Sequence, residues 1–230
     1  MAATSALPGR DEAVADGRVT TETTILLAAR DLLAEGGLKA LSMRALGERV
    51  GLSATAIYHH FDGKDDLVAR VVRLGYRRFG EYLEAAIARE PEGSLERVIA
   101  LGESYVRFAF ENREYFRVLF SLQSAHRREV DELPGGGGYH LLRRCVVEAV
   151  ASGAMRDVDP DLVTHYLWAS VHGLVTLDMV CNLESCGCPG QPRPASPMDL
   201  FRAFADYLRN GVEAGRPGAG EAGVRLEDLA

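Results

Sequence analysis

Ser42 and Ser53 stand eleven positions apart, with Gly51 just ahead of the second. A serine before helix-forming residues accepts a backbone N–H that the first helical turn leaves unsatisfied, which makes both positions natural N-caps. The pattern predicts one short helix carrying Met43, Leu46 and Val50, a tight turn at Gly51-Leu52-Ser53, and a second short helix from Ala54 to His60. Two short helices packed at a steep angle need a tight turn and a small residue where they approach. Ala45, Gly51 and Ile57 meet those needs, so the stretch reads as a helix-turn-helix.

The flanking sequence keeps the helical period. Ile25, Ala29, Leu32 and Leu33 recur on one face, and Gly36-Gly37 predicts a stop where a left-handed residue is wanted. Asp62 caps a long fourth helix, with Asp65 as the carboxylate that favours its first turn and Leu67, Val71, Leu74, Leu83 and Ile87 on its apolar face. Pro91-Glu92-Gly93 is the candidate domain seam. Ser94 then opens a helix through Leu95, Val98, Ile99, Tyr105, Val106 and Phe108, and a shorter one covers Tyr115 to Leu122. A glycine run at 135–138 predicts a loop. Helix resumes through Leu141, Val146 and Val150, again from Pro160 to about Cys181, and finally from Asp199 to Val212, after a Pro/Gly/Cys loop at 185–197. No segment alternates like a strand. The expectation is an all-α chain of about nine helices. Its parts are a disordered arm at 1–19, a helix-turn-helix domain at 20–66, a second helical domain at 67–213 and a flexible tail at 214–230.

Charge divides along the same line. The whole chain carries −7, but residues 1–80 hold 11 basic and 10 acidic side chains, leaving the acid in the remainder. A binding surface depends on its local patch and not on the overall charge, so the N-terminal part is permitted to approach phosphates. No apolar run approaches the roughly 18 residues of a membrane span, and the N-terminus lacks a secretory signal, which predicts a cytoplasmic protein with no membrane partner. There is no nucleophile elbow, phosphate loop or metal-spaced His/Glu pair, so no enzyme, catalytic residue, cofactor or metal is expected.

The stretch LSMRALGERVGLSATAIYHHFDGKDDLVARV closely resembles the DNA-binding domain of the TetR family, over roughly residues 21–70. In that family a Tyr-x-His-Phe motif ends the recognition helix and a lysine follows three residues later; here these are Tyr58, His60, Phe61 and Lys64. The resemblance implies phosphate contacts from Tyr58, His59 and Lys64, with Thr55 nearby and Ser42 at the start of the preceding helix. The chemistry agrees, because hydroxyl, imidazole and ammonium groups donate well to phosphate oxygens and fix register without reading sequence. Ser53, Ala54, Thr55 and Ala56 occupy the leading end of the recognition helix, where small apolar groups touch thymine methyls and a threonine bonds several bases. No Arg, Asn or Gln lies within 54–60 for a bidentate base contact; Arg44 is the candidate to reach the groove from the previous helix, and DNA shape carries part of the specificity.

The same resemblance implies a homodimer on a near-palindromic operator, joined through the last two long helices. Tyr166, Ala169, Gly173 and Leu177 on the first, with Phe201, Phe204 and Leu208 on the second, are the expected interface. It also implies a small-molecule effector of unknown identity in a pocket within the middle helices. Tyr105, Phe108, Phe116, Phe120, Trp168 and His172 are the expected lining, since pockets are mostly apolar with a few polar anchors. Trp168-Ala-Ser-Val-His172-Gly173 further resembles a Trp/His-Gly signature of one C-terminal subgroup. The implied function is a transcriptional repressor released from DNA by its effector. The alternatives are a regulator without a small-molecule ligand and a non-specific architectural DNA-binding protein. Cys181, Cys186 and Cys188 offer a separate possibility, metal or oxidant sensing, although their spacing matches no standard zinc pattern.

Overall fold

The computed structural model describes residues 20–121, 138–181 and 196–212. Among them are nine helices and no strand: α1 (Thr21–Ala40), α2 (Met43–Val50), α3 (Ala54–Tyr58), α4 (Lys64–Ile87), α5 (Leu95–Glu111), α6 (Arg113–Ser121), α7 (Tyr139–Ala151), α8 (Pro160–Cys181) and α9 (Pro197–Val212). The all-α expectation holds. The arm at 1–19, the tail at 214–230, three of the four loop glycines, and Cys186 and Cys188 lie outside the described residues.

The chain forms two compact units. The first contains α1, α2, α3, α4 through Arg78, and α6; the second contains the rest of α4 with α5, α7, α8 and α9. The divisions in sequence fall at Arg78/Phe79 and Glu111/Asn112, and Pro91-Glu92-Gly93 lies inside the second unit.

In the first unit, Ile25, Ala29, Leu32 and Leu33, the α1 positions that the helical period picks out, are buried with Leu26, Leu46, Ile57, Phe61 and Leu67. α1 does not stop at its glycine pair. Gly36 (φ −148°) and Gly37 (φ 63°) kink the helix, and a further turn runs on to Ala40. Arg30, buried in α1, bonds the Asp31 carboxylate and lies 5.0 Å from the centre of the Tyr115 ring on α6. A desolvated guanidinium keeps its charge when a carboxylate and an aromatic face both meet it. At the start of α4, Asp65 lies in the first turn as expected, with Asp66 beside it, and the Asp66 Oδ2 accepts the Asp62 N–H at 3.1 Å. Asp66 and Glu22 also hold Arg70, whose guanidinium sits 5.1 Å over the Phe61 ring.

The second unit is built on aromatic packing. Phe79 lies 4.9 Å from Phe108 and meets Tyr105 edge-on at 5.5 Å. The turn at Pro91-Glu92-Gly93 is packed: Gly93 (φ 71°) is buried, and its carbonyl accepts the Ser152 hydroxyl at 2.6 Å. Ser94 caps α5 by accepting the Arg97 N–H. α9 is fastened to α5 by Arg202–Glu103 and Arg209–Glu96, at 3.3 and 2.9 Å. Among the described residues, no helix is long and apolar enough to cross a membrane.

Candidate functional site

The two short helices are set by their caps. The Ser42 hydroxyl accepts the Ala45 N–H at 3.1 Å, and the Ser53 hydroxyl accepts the Ala56 N–H at 3.1 Å. Gly51 ends α2 in the left-handed conformation (φ 71°, ψ 28°) and donates to the Gly47 carbonyl. That carbonyl also accepts the Leu52 N–H at 3.0 Å. The close approach between helix and turn occurs at Gly47, not Ala45. A β-carbon on Gly47 would lie 2.5 Å from the Leu52 carbonyl oxygen. Sequence reading missed this residue; the available signal was a glycine inside a short helix with no other reason to be there.

α3 is shorter than its expected span. It ends at Tyr58, and His59-His60 form a turn in which the His60 and Phe61 N–H groups return to the Ile57 carbonyl. Ile57 and Phe61 are buried beneath it. Ala54, Thr55, His59 and His60 are exposed, Ala56 is half-buried, and Tyr58 is 57% exposed. Among the described residues, the side chains of Thr55, Tyr58 and His59 have no hydrogen-bond partner. One short helix and the turn that ends it thus present three polar side chains outward, on a base held by two caps and a buried isoleucine.

Two cations expected at this face are already engaged. Arg44, on the exposed side of α2, bonds Glu48 at 3.0 Å. The Lys64 ammonium donates to the Leu38 carbonyl, tying the first turn of α4 to the last turn of α1. An ammonium has three donors, so this bond positions Lys64 and leaves donors for a phosphate.

The second unit contains a cavity of about 720 Å³ measured out to its open mouth. Phe79 and Leu83 of α4, Gly102 and Tyr105 of α5, and Trp168 of α8 contribute to its wall. α9 adds Phe201, Phe204 and Leu208, so the apolar stripe expected at a dimer contact faces this unit's own interior. Phe201 sits in a notch at Gly102, where a β-carbon would be 2.4 Å from its ring. Phe79 and Leu83 close equally on Gly138 (φ 92°), which a β-carbon would bring to 2.8 and 3.0 Å from them.

The six residues expected to line the pocket do not gather in one place. Tyr105 and Trp168 line the cavity. His172 stacks on Trp168 at 5.9 Å, and its Nδ1 lies 2.7 Å from the Tyr105 hydroxyl. Burial pushes the His172 imidazole below its ordinary pKa, so it is neutral at neutral pH. Phe108 is buried behind the wall against Phe79 and Tyr82. Phe116 and Phe120, 4.7 Å apart on α6, belong to the first unit.

α8 carries apolar side chains on more than one face. Leu167, Val171 and Val175 are buried, while Tyr166 (59% exposed), Leu177 (54%) and Val180 (77%) face outward with Ala169, and Gly173 is half-buried. Tyr207 of α9 is 78% exposed. Among the described residues, no group of His, Cys, Asp and Glu side chains is placed to hold a metal ion.

Residues 25–71 match the family model of bacterial regulatory proteins of the tetR family, and residues 98–203 match that of the tetracyclin repressor-like C-terminal domain. The HTH-type transcriptional repressor KstR2 of Rhodococcus jostii is 28% identical over 185 residues, covering 72% of this chain and 88% of its own. The HTH-type transcriptional regulator UidR of Escherichia coli is 32% identical over 91 residues, 40% of this chain and 44% of its own. The crystal structure of the TetR family transcriptional regulator PfmR from Thermus thermophilus shares the fold, with a TM-score of 0.65 at 24% identity over 86% of this chain and all of that one. With both models matched, one after the other along the sequence, the chain belongs to the TetR family of DNA-binding transcriptional regulators.

Proposed function

We propose that this regulator is a cytoplasmic homodimeric repressor without enzymatic activity, which grips a near-palindromic operator through its first unit and leaves it when a small molecule fills the cavity of its second. The observation that carries the reading is the outward set of Thr55, Tyr58 and His59 on a capped helix and its closing turn in one unit, together with an open apolar cavity in the other. Tyr58 and His59 contact phosphates, and Lys64 joins them from the position that its bond to Leu38 fixes. Ser42 and Ser53 present capped helix starts to the backbone; Ala54, Thr55 and Ala56 meet base edges, and Arg44 reaches the groove on exchanging Glu48 for DNA. KstR2 of Rhodococcus jostii, named as a repressor, supports the direction of regulation.

The partner copy docks on the outer stripe of α8, Tyr166, Ala169, Gly173 and Leu177, extended by Val180 and Tyr207. Exposed apolar side chains along one helix call for cover, and a second copy supplies it. Because Phe201, Phe204 and Leu208 face the cavity, the outward side of α9 offers Tyr207 in their place. Phe79 and Leu83 line the cavity at one end of the helix whose other end begins with Lys64, so an occupant displaces the helix that follows the recognition element. Moving the recognition helices out of step with half-sites about 34–36 Å apart breaks simultaneous docking.

Selection from random duplexes at fixed salt, followed by sequencing, tests the reading. A near-palindromic consensus supports a dimeric sequence-specific regulator. Retention without a consensus supports an architectural role and contradicts the proposal, as does no retention by ligand-free protein.

A further inference from the structure

The wall of the cavity restricts what it can hold. None of its described lining residues carries a carboxylate or a cationic group, and the surface they form is almost wholly aliphatic and aromatic. On α5 and α9, Arg97 pairs with Glu148, Arg202 with Glu103 and Arg209 with Glu96, while Arg107 is exposed to solvent. An ionised group brought into such a space leaves its hydration without a counter-charge to replace it, which is strongly unfavourable.

Polarity enters at one place. The Tyr105 hydroxyl and His172 Nδ1 form a 2.7 Å hydrogen bond, and Trp168 stacks on the imidazole. A tyrosine–imidazole pair can reverse its hydrogen bond by changing tautomer, so it presents a donor to a carbonyl or an acceptor to a hydroxyl. The geometry points to an uncharged effector with an apolar body and a single hydrogen-bonding oxygen, an alcohol or a ketone, seated with that oxygen at Tyr105. This rests on the reading of the cavity as the effector site and narrows it to a chemical class. Carboxylate and phosphate-bearing molecules of the same size are disfavoured, because no described lining residue supplies a counter-charge. Ketones and hydroxylated hydrocarbons are accepted because one reversible hydrogen bond satisfies their only polar atom.

The chain has one tryptophan, and it lies in this wall, so its emission reports occupancy directly. The test titrates the ligand-free, full-length protein at pH 7.5 with 1-decanol and with decanoate, which share a chain and differ in charge. Decanol should change Trp168 emission saturably, with decanoate about ten-fold weaker or worse. Tyr105→Phe, checked for intact helicity, should weaken decanol about five-fold by removing the anchoring hydroxyl. Decanoate binding as tightly as decanol would overturn the proposal, as would the absence of a saturable decanol response or an unchanged affinity in Tyr105→Phe. Release of a selected operator duplex is measured separately. Decanol that binds without releasing DNA supports the ligand class and sinks the effector reading. Decanoate that binds and releases DNA sinks the ligand class and keeps that reading.

Discussion

The two units use the same helical material in opposite ways. In the first, short helices are locked by serine caps, a left-handed glycine and guanidinium bridges, and the polar side chains of α3 point outward. In the second, long helices enclose aromatic side chains that leave space among themselves. The contrast teaches that rigidity here comes from backbone satisfaction and close approach, whereas capacity for a guest comes from incomplete side-chain packing. The first suits recognition of a fixed surface, and the second suits a response to something small.

The largest effect that separates the units is expected on the outer face of α8. Leu177→Asp places a charge in the proposed contact between copies while leaving cavity and recognition helix untouched. Sedimentation should show monomer, and operator affinity should fall by about a hundred-fold or more, because one helix-turn-helix alone holds DNA poorly. An unchanged dimer would remove this face from the account.

Gly47→Ala strikes the first unit alone. Its β-carbon would meet the Leu52 carbonyl oxygen at 2.5 Å, a backbone atom that cannot swing away. Destabilisation of about 2–3 kcal/mol should appear in denaturant unfolding, with loss of DNA binding. Unaltered stability would mean that the turn is looser than its hydrogen bonds indicate. The matched change in the second unit is Gly102→Ala, whose β-carbon meets the Phe201 ring at 2.4 Å. A ring on a helix can shift, so the expected cost is smaller, about 1–2 kcal/mol, and the ligand-free protein should keep its DNA affinity while Trp168 emission changes. A loss of DNA affinity equal to that of Gly47→Ala would erase the distinction between the units.

Tyr58→Phe should weaken DNA binding about five-fold for all duplexes alike, since a phosphate contact carries no sequence information. A change of consensus would instead make Tyr58 a base reader. The smallest effect concerns pH. Burial holds the His172 imidazole below its ordinary value of 6.5, so the unfolded chain takes up a proton first on acidification. Stability from this residue is full above that value and declines as pH falls through it toward the folded pKa; His172→Gln should flatten that part of the stability profile. A wild-type profile that rises on acidification through this window would contradict the neutral buried imidazole.

Much of the fold was legible because it is written in local chemistry. Ser42, Ser53 and Ser94 cap the helices expected of them, Gly51 takes the left-handed turn, and α8 spans Pro160–Cys181 as its pattern predicts. What periodicity does not contain is the identity of the neighbour. The stripe Phe201, Phe204 and Leu208 shows that α9 has an apolar face, but not that α5 and its Gly102 notch lie against it. Phe116 and Phe120 share the middle of the chain with Tyr105, yet α6 packs on α1, because Arg30 and Tyr115 join there. Lys64 is readable as a cation, whereas its bond to Leu38 depends on a kink that lets α1 continue beyond Gly37. The bond from the Asp62 N–H to Asp66 was not legible for a similar reason, since only the helix start fixes which carboxylate points back.

In the proposed complex, the exposed side chains of α3 and the turn after it hold operator DNA in two symmetric places. Hydroxyl-radical footprinting on a selected duplex tests it most directly, comparing the natural chain with a Tyr58→Phe/His59→Ala variant. Two protected patches about one helical turn or its multiple apart, both weakened together in the variant, are the predicted result. A single patch, or a footprint that the double variant leaves unchanged, would contradict it.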